Sequence, residues 1–249
     1  MISVCMATYN GEEYIFEQIE SILAQLKPDD EVIIVDDFST DDTVKILQGI
    51  NDSRIKIYLN DRNRKHVFSF ARAISLAGNE IIFLADQDDI WLPGRVSLMV
   101  RKLLDTGALL VSSNYELMDR QGARINRTVR NELKSEDSSR YVKNILKIFM
   151  GTANYFGSAM AFRKDLVHLI LPIPPFVILH DIWISLASNL LGSNVHLDEK
   201  TLKRRLHDNN FTNPNRSIFT KIKYRLIFAL SVIVLLSRFG RARFGCAKQ

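Results

Sequence analysis

The chain has 249 residues, 47% of them hydrophobic and 24% charged, a composition that supports one large buried core and argues against disorder. Its two cysteines, Cys5 and Cys246, lie far apart and Cys5 sits in an apolar run, so they read as reduced thiols, which favours the cytoplasm. The net charge of +5 is unevenly spread: residues 201–249 hold eleven Lys or Arg and one acid, Asp208, leaving −5 on the first 200 residues. A basic tail on an acidic body points to an anionic partner, either membrane or nucleic acid.

Met1 is followed by Ile2-Ser3-Val4-Cys5-Met6-Ala7, with no basic start and no small-residue cleavage site, so the run reads as a core strand and not as a secretory signal. Apolar, β-branched runs recur at residues 31–35, 55–59 and 80–85, and helical patterns separate most of them. Ile15, Ile19, Ile22, Leu23 and Leu26 carry the spacing of one buried helix face. Asn10 with Glu13, and Ser39 with Asp42, are placed as N-capping side chains with reciprocal acids. Short runs buried on both faces and joined by helices predict an α/β fold, its mixed, mainly parallel sheet flanked by helices.

Such sheets bind ligands at the carboxyl ends of their strands, and three polar clusters fall there: Thr8-Tyr9-Asn10, Asp36-Asp37 and Asp86-Gln87-Asp88. Each alone would also serve as an ordinary turn or cap. In an extended Asp-x-Asp the first and third side chains point the same way, so Asp86 and Asp88 could face one cation. Oxygen-only ligands favour Mg²⁺ or Mn²⁺, ions that commonly bridge carboxylates to the phosphates of a substrate.

Taken together, three segments carry a resemblance. They are Ser3-Val4-Cys5-Met6-Ala7-Thr8-Tyr9-Asn10-Gly11, Val35-Asp36-Asp37-Phe38-Ser39-Thr40-Asp41-Asp42-Thr43, and Phe83-Leu84-Ala85-Asp86-Gln87-Asp88-Asp89-Ile90-Trp91-Leu92-Pro93. With them the chain resembles the family-2 inverting glycosyltransferases of the GT-A (Rossmann-like) fold, from Ile2 to about Asn210. The resemblance implies that Thr8, Tyr9 and Asn10 line a nucleotide site and that Asp36 or Asp37 accepts the imide N–H of uracil or thymine. It further implies that Asp86 lies near the ribose or sugar and that Asp88 is the principal metal ligand. Trp91, between Ile90 and Leu92, reads as a core anchor, with stacking on a sugar as the other reading. One departure is Asn60-Asp61-Arg62-Asn63-Arg64-Lys65-His66, where the family commonly has Asn followed closely by Gly; this basic turn reads as solvated.

In the second half, Gly157-Ser158-Ala159-Met160-Ala161-Phe162-Arg163 resembles the stretch beneath the acceptor, its small residues suiting close approach of a substrate. Leu179-His180-Asp181-Ile182-Trp183 opens a helix, and the resemblance makes Asp181 the general base; a helix-capping role is its structural alternative. Arg204-Arg205-Leu206-His207-Asp208-Asn209-Asn210 resembles the family's Tyr-Arg-x-His-x-x-Asn segment, with Arg204 standing where tyrosine is usual. On that basis Arg205 neutralises phosphate charge and His207 ligates the metal or contacts the diphosphate.

Domain boundaries follow as a catalytic domain over 1–215, with a nucleotide-sugar half at 1–110 and an acceptor half at 111–215, and a basic, apolar tail at 216–249. Within the tail, Leu226 to Ser237 is a nearly unbroken apolar run with basic flanks. As an amphipathic or interfacial helix it would span roughly 18 Å, short of the ~30 Å hydrocarbon core, so it is expected to lie on the inner face of the cytoplasmic membrane. The expected function is transfer of a hexose, UDP-glucose leading and dTDP-rhamnose the alternative, to a sugar-diphosphate-polyprenol in O-antigen or other surface polysaccharide assembly. A nucleotidyltransferase is disfavoured by the lack of a Gly-rich basic loop near the first strand. A nucleic-acid module is disfavoured because aromatics do not interleave with the tail charges.

Overall fold

The computed structural model describes residues 1–206 and 218–245. Its first half builds four parallel strands, β1 (Ile2–Thr8), β2 (Glu31–Asp36), β3 (Ile55–Leu59) and β4 (Ile81–Ala85). Between them run α1 (Ile15–Leu23), α2 (Thr43–Gly49) and α3 (His66–Leu76). β1, β2 and β4 are short and apolar because both faces are covered, whereas the edge strand β3 is only partly buried. Val4 and Met6 of β1 join Ile34 and Phe83 on the α1 side, while Cys5 joins Ile33, Val35 and Leu84 on the α3 side. This alternation is the period of two of a pleated strand. Burial in that apolar layer also pushes the Cys5 thiol pKa up, leaving it an inert core group.

The chain continues through β5 (Ile90–Trp91), α4 (Arg95–Thr106), β6 (Leu110–Met118), α5 (Tyr141–Met150), β7 (Met160–Arg163), α6 (Val167–Ile170), α7 (His180–Leu190), β8 (Asn194–Arg205) and α8 (Ile218–Gly245). One eight-stranded sheet results, in the order β3-β2-β1-β4-β7-β6-β8-β5. β7 runs antiparallel to both β4 and β6, and β5 antiparallel to β8, whereas β6 and β8 are parallel. The fold is therefore the mixed, mainly parallel sheet flanked by helices that the alternating pattern predicts. β1 lies between β2 and β4, so a crevice opens at the carboxyl ends of these three strands, where the chain reverses its direction of winding.

The expected capping boxes do not form. Neither α1 nor α2 has a side-chain cap. Asn10 instead takes positive φ (47°), its amide donates to Ser39 Oγ (2.9 Å) and its side-chain oxygen accepts from the Thr40 amide (2.8 Å). These residues tie the loop after β1 to the loop after β2, because both loops leave the same sheet edge. The basic turn 61–65 is held locally: Arg64 pairs with both carboxylate oxygens of Asp61 and covers the Phe68 ring.

The tail helix is longer than the expected apolar run. α8 spans 28 residues, about 42 Å at the α-helical rise, and no helix among the described residues is long and apolar enough to cross a membrane. Leu235 is buried in the core, with Phe228, Val232 and Phe239 packed against the same cluster. Arg238 donates to the Leu169 and Pro172 carbonyls (2.6 Å each). Three of the cations counted with the tail, Lys203, Arg204 and Arg205, belong to β8.

Lys65, immediately before α3, has φ 72° and ψ 157°, a region essentially reserved for glycine. Its amide is fixed there by Asp37 Oδ2 (2.8 Å). Lys65→Gly is expected to raise unfolding free energy by about 1 kcal/mol, read as a higher urea midpoint with unchanged m-value.

Candidate active site

Three acids follow β4. Asp86 and Asp88 are half-buried and Asp89 is buried, and one carboxylate oxygen from each lies within 4.8 Å of the others. Burial and repulsion raise the proton affinity of two of them: the Asp89 pKa is pushed up to about 7 by desolvation and by Asp88, and that of Asp86 well above the usual carboxylate range by desolvation, Asp89 and Asp88. A hard divalent cation matches this donor set, and the buried Asp89 Oδ2, which has no hydrogen-bond partner, adds to the fit. His207 lies outside the described residues, so its expected role as a ligand has no structural counterpart here.

The loop carrying these acids is fastened from three sides. Gln18 of α1 donates to the Asp86 carbonyl (2.8 Å). Gln87 turns away from the acids, accepting from the Tyr9 amide (2.8 Å) and donating to the Tyr9 carbonyl (3.1 Å). Gly11 permits this, because a Cβ there would come within 2.5 Å of the Gln87 amide oxygen. Arg205 closes the third side. It is buried, with Nε donating to the Asp88 carbonyl (3.0 Å), one terminal nitrogen to the Arg120 carbonyl (2.8 Å) and the other to Glu17 (2.6 Å). Its own amide donates to Asp89 (3.2 Å). Three of the five guanidinium N–H groups of Arg205, the residue expected to neutralise phosphate charge, are used in holding this loop.

The neighbouring Arg204 faces the acids instead. Its positive charge favours the ionised forms of Asp86, Asp89 and Asp181 together. Its guanidinium lies over the rings of Phe156 (4.2 Å) and Tyr115 (5.7 Å). Successive residues of a strand point to opposite faces, so one of the pair is structural and the other enters the site.

Beneath the cluster lies a second cation that the sequence pattern did not single out. Arg95 is buried against Trp91 and Phe83, with its charge 4.7 Å and 5.6 Å from the two ring centroids. It donates to Thr201 Oγ1 and to the Ser158 carbonyl (2.6 Å). Burial lowers its pKa to about 9, partly offset by Asp89. Trp91 is accordingly a core residue, as its apolar neighbours in sequence imply.

On the nucleotide side, Asp36 and Asp37 are both buried and heavily used. Asp36 accepts from Thr8 Oγ1 (2.9 Å), the Ser39 amide (2.8 Å) and Ser39 Oγ (2.5 Å). Asp37 accepts from the Asn60 side chain and from the Arg64 and Lys65 amides, each at 2.8 Å. A carboxylate offers about four acceptor positions, so each keeps room for one further donor. Tyr9 and Phe38 stand half-exposed beside them, Phe38 in the left-handed region at φ 70°.

Asp181 sits in the first turn of α7, with Oδ1 accepting from the Ile182 amide (2.7 Å). Desolvation raises its pKa to about 6, and the acid cluster is close enough for Asp181 in turn to raise that of Asp86. Its sequence neighbours face inward. His180 stacks on Phe70 at 4.0 Å, with both ring nitrogens unpartnered and its pKa lowered to about 3 by burial. Trp183 donates its indole N–H to the Ile170 carbonyl (2.9 Å). The small residue Gly157 makes room for His180, since a Cβ there would stand 2.6 Å from Nε2. The close approach expected for a substrate is thus taken by a side chain.

The Glycosyl transferase family 2 profile matches residues 3–171. The chain belongs to this family. It is 26% identical over 218 residues to an uncharacterized glycosyltransferase of Nostoc sp., an alignment covering 84% of this chain and 66% of that protein. It is 30% identical over 120 residues to the UDP-Glc:alpha-D-GlcNAc-diphosphoundecaprenol beta-1,3-glucosyltransferase WfgD of Escherichia coli, covering 48% and 47% of the two chains. Both alignments span less than two thirds of the relative's own length. Among solved structures, the S. aureus TarS fragment 1–349 in complex with UDP-GlcNAc superposes with a TM-score of 0.71 at 17% identity, over 93% of this chain and 66% of that one. At that identity the likeness establishes the GT-A fold.

The acid cluster links metal affinity to pH. An Asp whose folded pKa exceeds its unfolded value of about 3.9 destabilises the ionised fold, a cost that protonation removes as pH falls through the folded pKa. A bound cation removes the same cost. Thermal melts are therefore expected to show a Mn²⁺-induced rise that is largest near pH 8 and shrinks towards about pH 5; a rise independent of pH would contradict the cluster as the binding site.

Proposed function

We propose that the chain is an inverting, metal-dependent glycosyltransferase that moves a hexose from a nucleotide-sugar to a sugar-diphosphate-polyprenol acceptor. The observation that carries this reading is the cluster Asp86, Asp88, Asp89 after β4 together with the carboxylate of Asp181, in the first turn of α7 and near enough to Asp86 to raise its pKa. Glucose from UDP-glucose, delivered to GlcNAc-diphospho-undecaprenol in O-antigen or other surface polysaccharide assembly, is the favoured pairing, supported by the name of the E. coli relative. A dTDP-rhamnose donor is the second reading, supported by 34% identity over 116 residues, 44% of this chain and 40% of that one, to the dTDP-rhamnosyl transferase RfbG of Shigella flexneri. The basic tail 216–249 favours a peripheral position on the inner face of the cytoplasmic membrane, where such an acceptor is presented.

In this reading the nucleotide lies across the carboxyl ends of β1 and β2, against Thr8, Tyr9 and Asn10, with Asp36 or Asp37 accepting the imide N–H of the base. Mn²⁺ or Mg²⁺, held by Asp86, Asp88 and Asp89, would supply positive charge to the departing diphosphate. Asp181 takes the proton of the acceptor hydroxyl as that oxygen bonds to the anomeric carbon. The bond from that carbon to the diphosphate oxygen breaks on the opposite face, so configuration inverts and a nucleoside diphosphate leaves. Arg204 stands beside the same acids with its donors supported on two aromatic faces, placed to meet the charge that develops on the diphosphate.

Asp181→Asn is expected to fold and bind UDP in calorimetry while losing at least about a hundredfold in kcat with UDP-glucose and a synthetic acceptor; near-normal turnover would remove Asp181 as the base. Because the base must be ionised and its pKa is raised to about 6, kcat/KM should fall as pH drops through that value and not through the ordinary carboxylate range. Arg204→Gln is expected to weaken UDP binding about tenfold or more and to move that acid limb to higher pH. Arg204→Lys should restore part of both, and an unmoved pH profile would count against placing Arg204 beside Asp181.

A further inference from the structure

α8 is amphipathic twice over. One face docks on the domain through Phe228, Leu235 and Phe239. The opposite face leaves Phe219, Ile222, Leu226, Leu230, Ile233 and Leu236 exposed at steps of three and four residues, a continuous apolar stripe along the helix. α5 presents a matching row, in which Val142, Leu146, Phe149 and Met150 are exposed. Phe149 touches α8, its ring meeting Phe228 of the docked face at 5.3 Å and lying 5.6 Å from the Arg225 guanidinium.

We propose that α5 and α8 form a single lipid-facing surface that seats the protein on an anionic bilayer. The inference rests on the reading of the chain as a transferase with a lipid-linked acceptor, and it adds α5 to a membrane contact that the sequence places in the tail alone. Charge selects the occupant. α8 contains Lys221, Lys223, Arg225, Arg238, Arg241 and Arg243 and no acid. At the edge of α5, Arg140, Lys143 and Lys147 surround the single carboxylate of Asp137, leaving an excess of positive charge there too. A second copy of the chain would bring like charge against like charge, whereas acidic headgroups complement both helices. An apolar stripe bordered by cations on a helix unable to cross the membrane is the form an interfacial helix takes.

The geometry gives the surface a use. α7, which carries Asp181 in its first turn, packs against both α5 and α8. Its eleven residues extend about 16 Å, so a bilayer seated on α5 and α8 sits at a fixed, short distance from the base. A diphosphate-linked sugar anchored in that bilayer could then be presented to Asp181 without leaving its lipid.

Flotation of the full chain with vesicles of phosphatidylglycerol and phosphatidylethanolamine tests this, against vesicles of phosphatidylcholine alone. Leu146→Glu in α5 and Leu230→Glu in α8 change residues 57% and 48% exposed, so folding should persist. UDP binding with Mn²⁺, measured by calorimetry on the same samples, reports the donor site independently. Each variant is expected to weaken binding to the anionic vesicles about tenfold, with UDP affinity unchanged and with parent binding reduced by added salt. Parent-like vesicle binding by Leu146→Glu would remove α5 from the surface. A concentration-dependent dimer of the parent in sedimentation, with no vesicle binding, would assign the face to a second copy and overturn the proposal. A parent that binds vesicles but neither UDP nor dTDP with Mn²⁺ would instead overturn the transferase reading and leave the surface standing.

Discussion

The constraint that organises the molecule is the cost of holding three carboxylates together at the end of β4. Repulsion and desolvation raise the proton affinity of Asp86 and Asp89, and a flexible loop would relieve both by swinging outward into water. The surrounding structure prevents that. Gln18, Gln87 and Arg205 grip the backbone of the loop or of the segment beside it, and the Arg205 amide also holds one carboxylate oxygen of Asp89, so the acids are fixed in place. The strain of like charges becomes affinity for whatever positive charge arrives, whether proton or divalent cation.

The same economy runs through the other motifs. In His180-Asp181-Ile182-Trp183 only the acid faces the site; His180 and Trp183 are core groups that fix the first turn of α7. Asp36 and Asp37 hold the loops after β1, β2 and β3 before either could meet a nucleotide, and the Asn10–Ser39 bond stitches two of those loops. The glycines at 11 and 157 create space for Gln87 and His180, side chains that position a neighbour. Most residues that look functional in the sequence are scaffolding for the few that would touch substrate.

α7 joins the two ends of the problem. Its first turn reaches the acid cluster and its body lies in the helical layer with α5 and α8, so the placement of Asp181 depends on packing against elements far from it in sequence. The Arg238 bonds to the Leu169 and Pro172 carbonyls fasten α8 to the segment preceding α7. Movement of the tail would therefore be felt near the proposed base.

Much of this was legible in one dimension. The apolar runs at 2–7, 31–35, 55–59 and 80–85 became β1 to β4 within a residue or so; in β1, β2 and β4 this is because strands buried on both faces must be continuously apolar. The acids after β4 were legible because a polar residue directly after such a strand falls at the sheet edge where ligands bind, whereas Asp181 stood out only through the resemblance of its segment to the glycosyltransferase family. What the sequence could not decide was direction. Arg204 and Arg205 differ by one position, and strand pairing with β5 and β6 sends one guanidinium into the acid cluster and the other behind it. Nor could local pattern foresee that Asn10 and Ser39 would bond each other instead of capping helices, or that Arg95 would lie against two aromatic rings, since those contacts exist only once distant strands are adjacent. By itself the sequence determined which chemical groups stand at the edge of the sheet; only tertiary packing decided which of them face inward to hold the site and which face outward to use it, because side-chain direction depends on the register of strands that meet through long-range contacts.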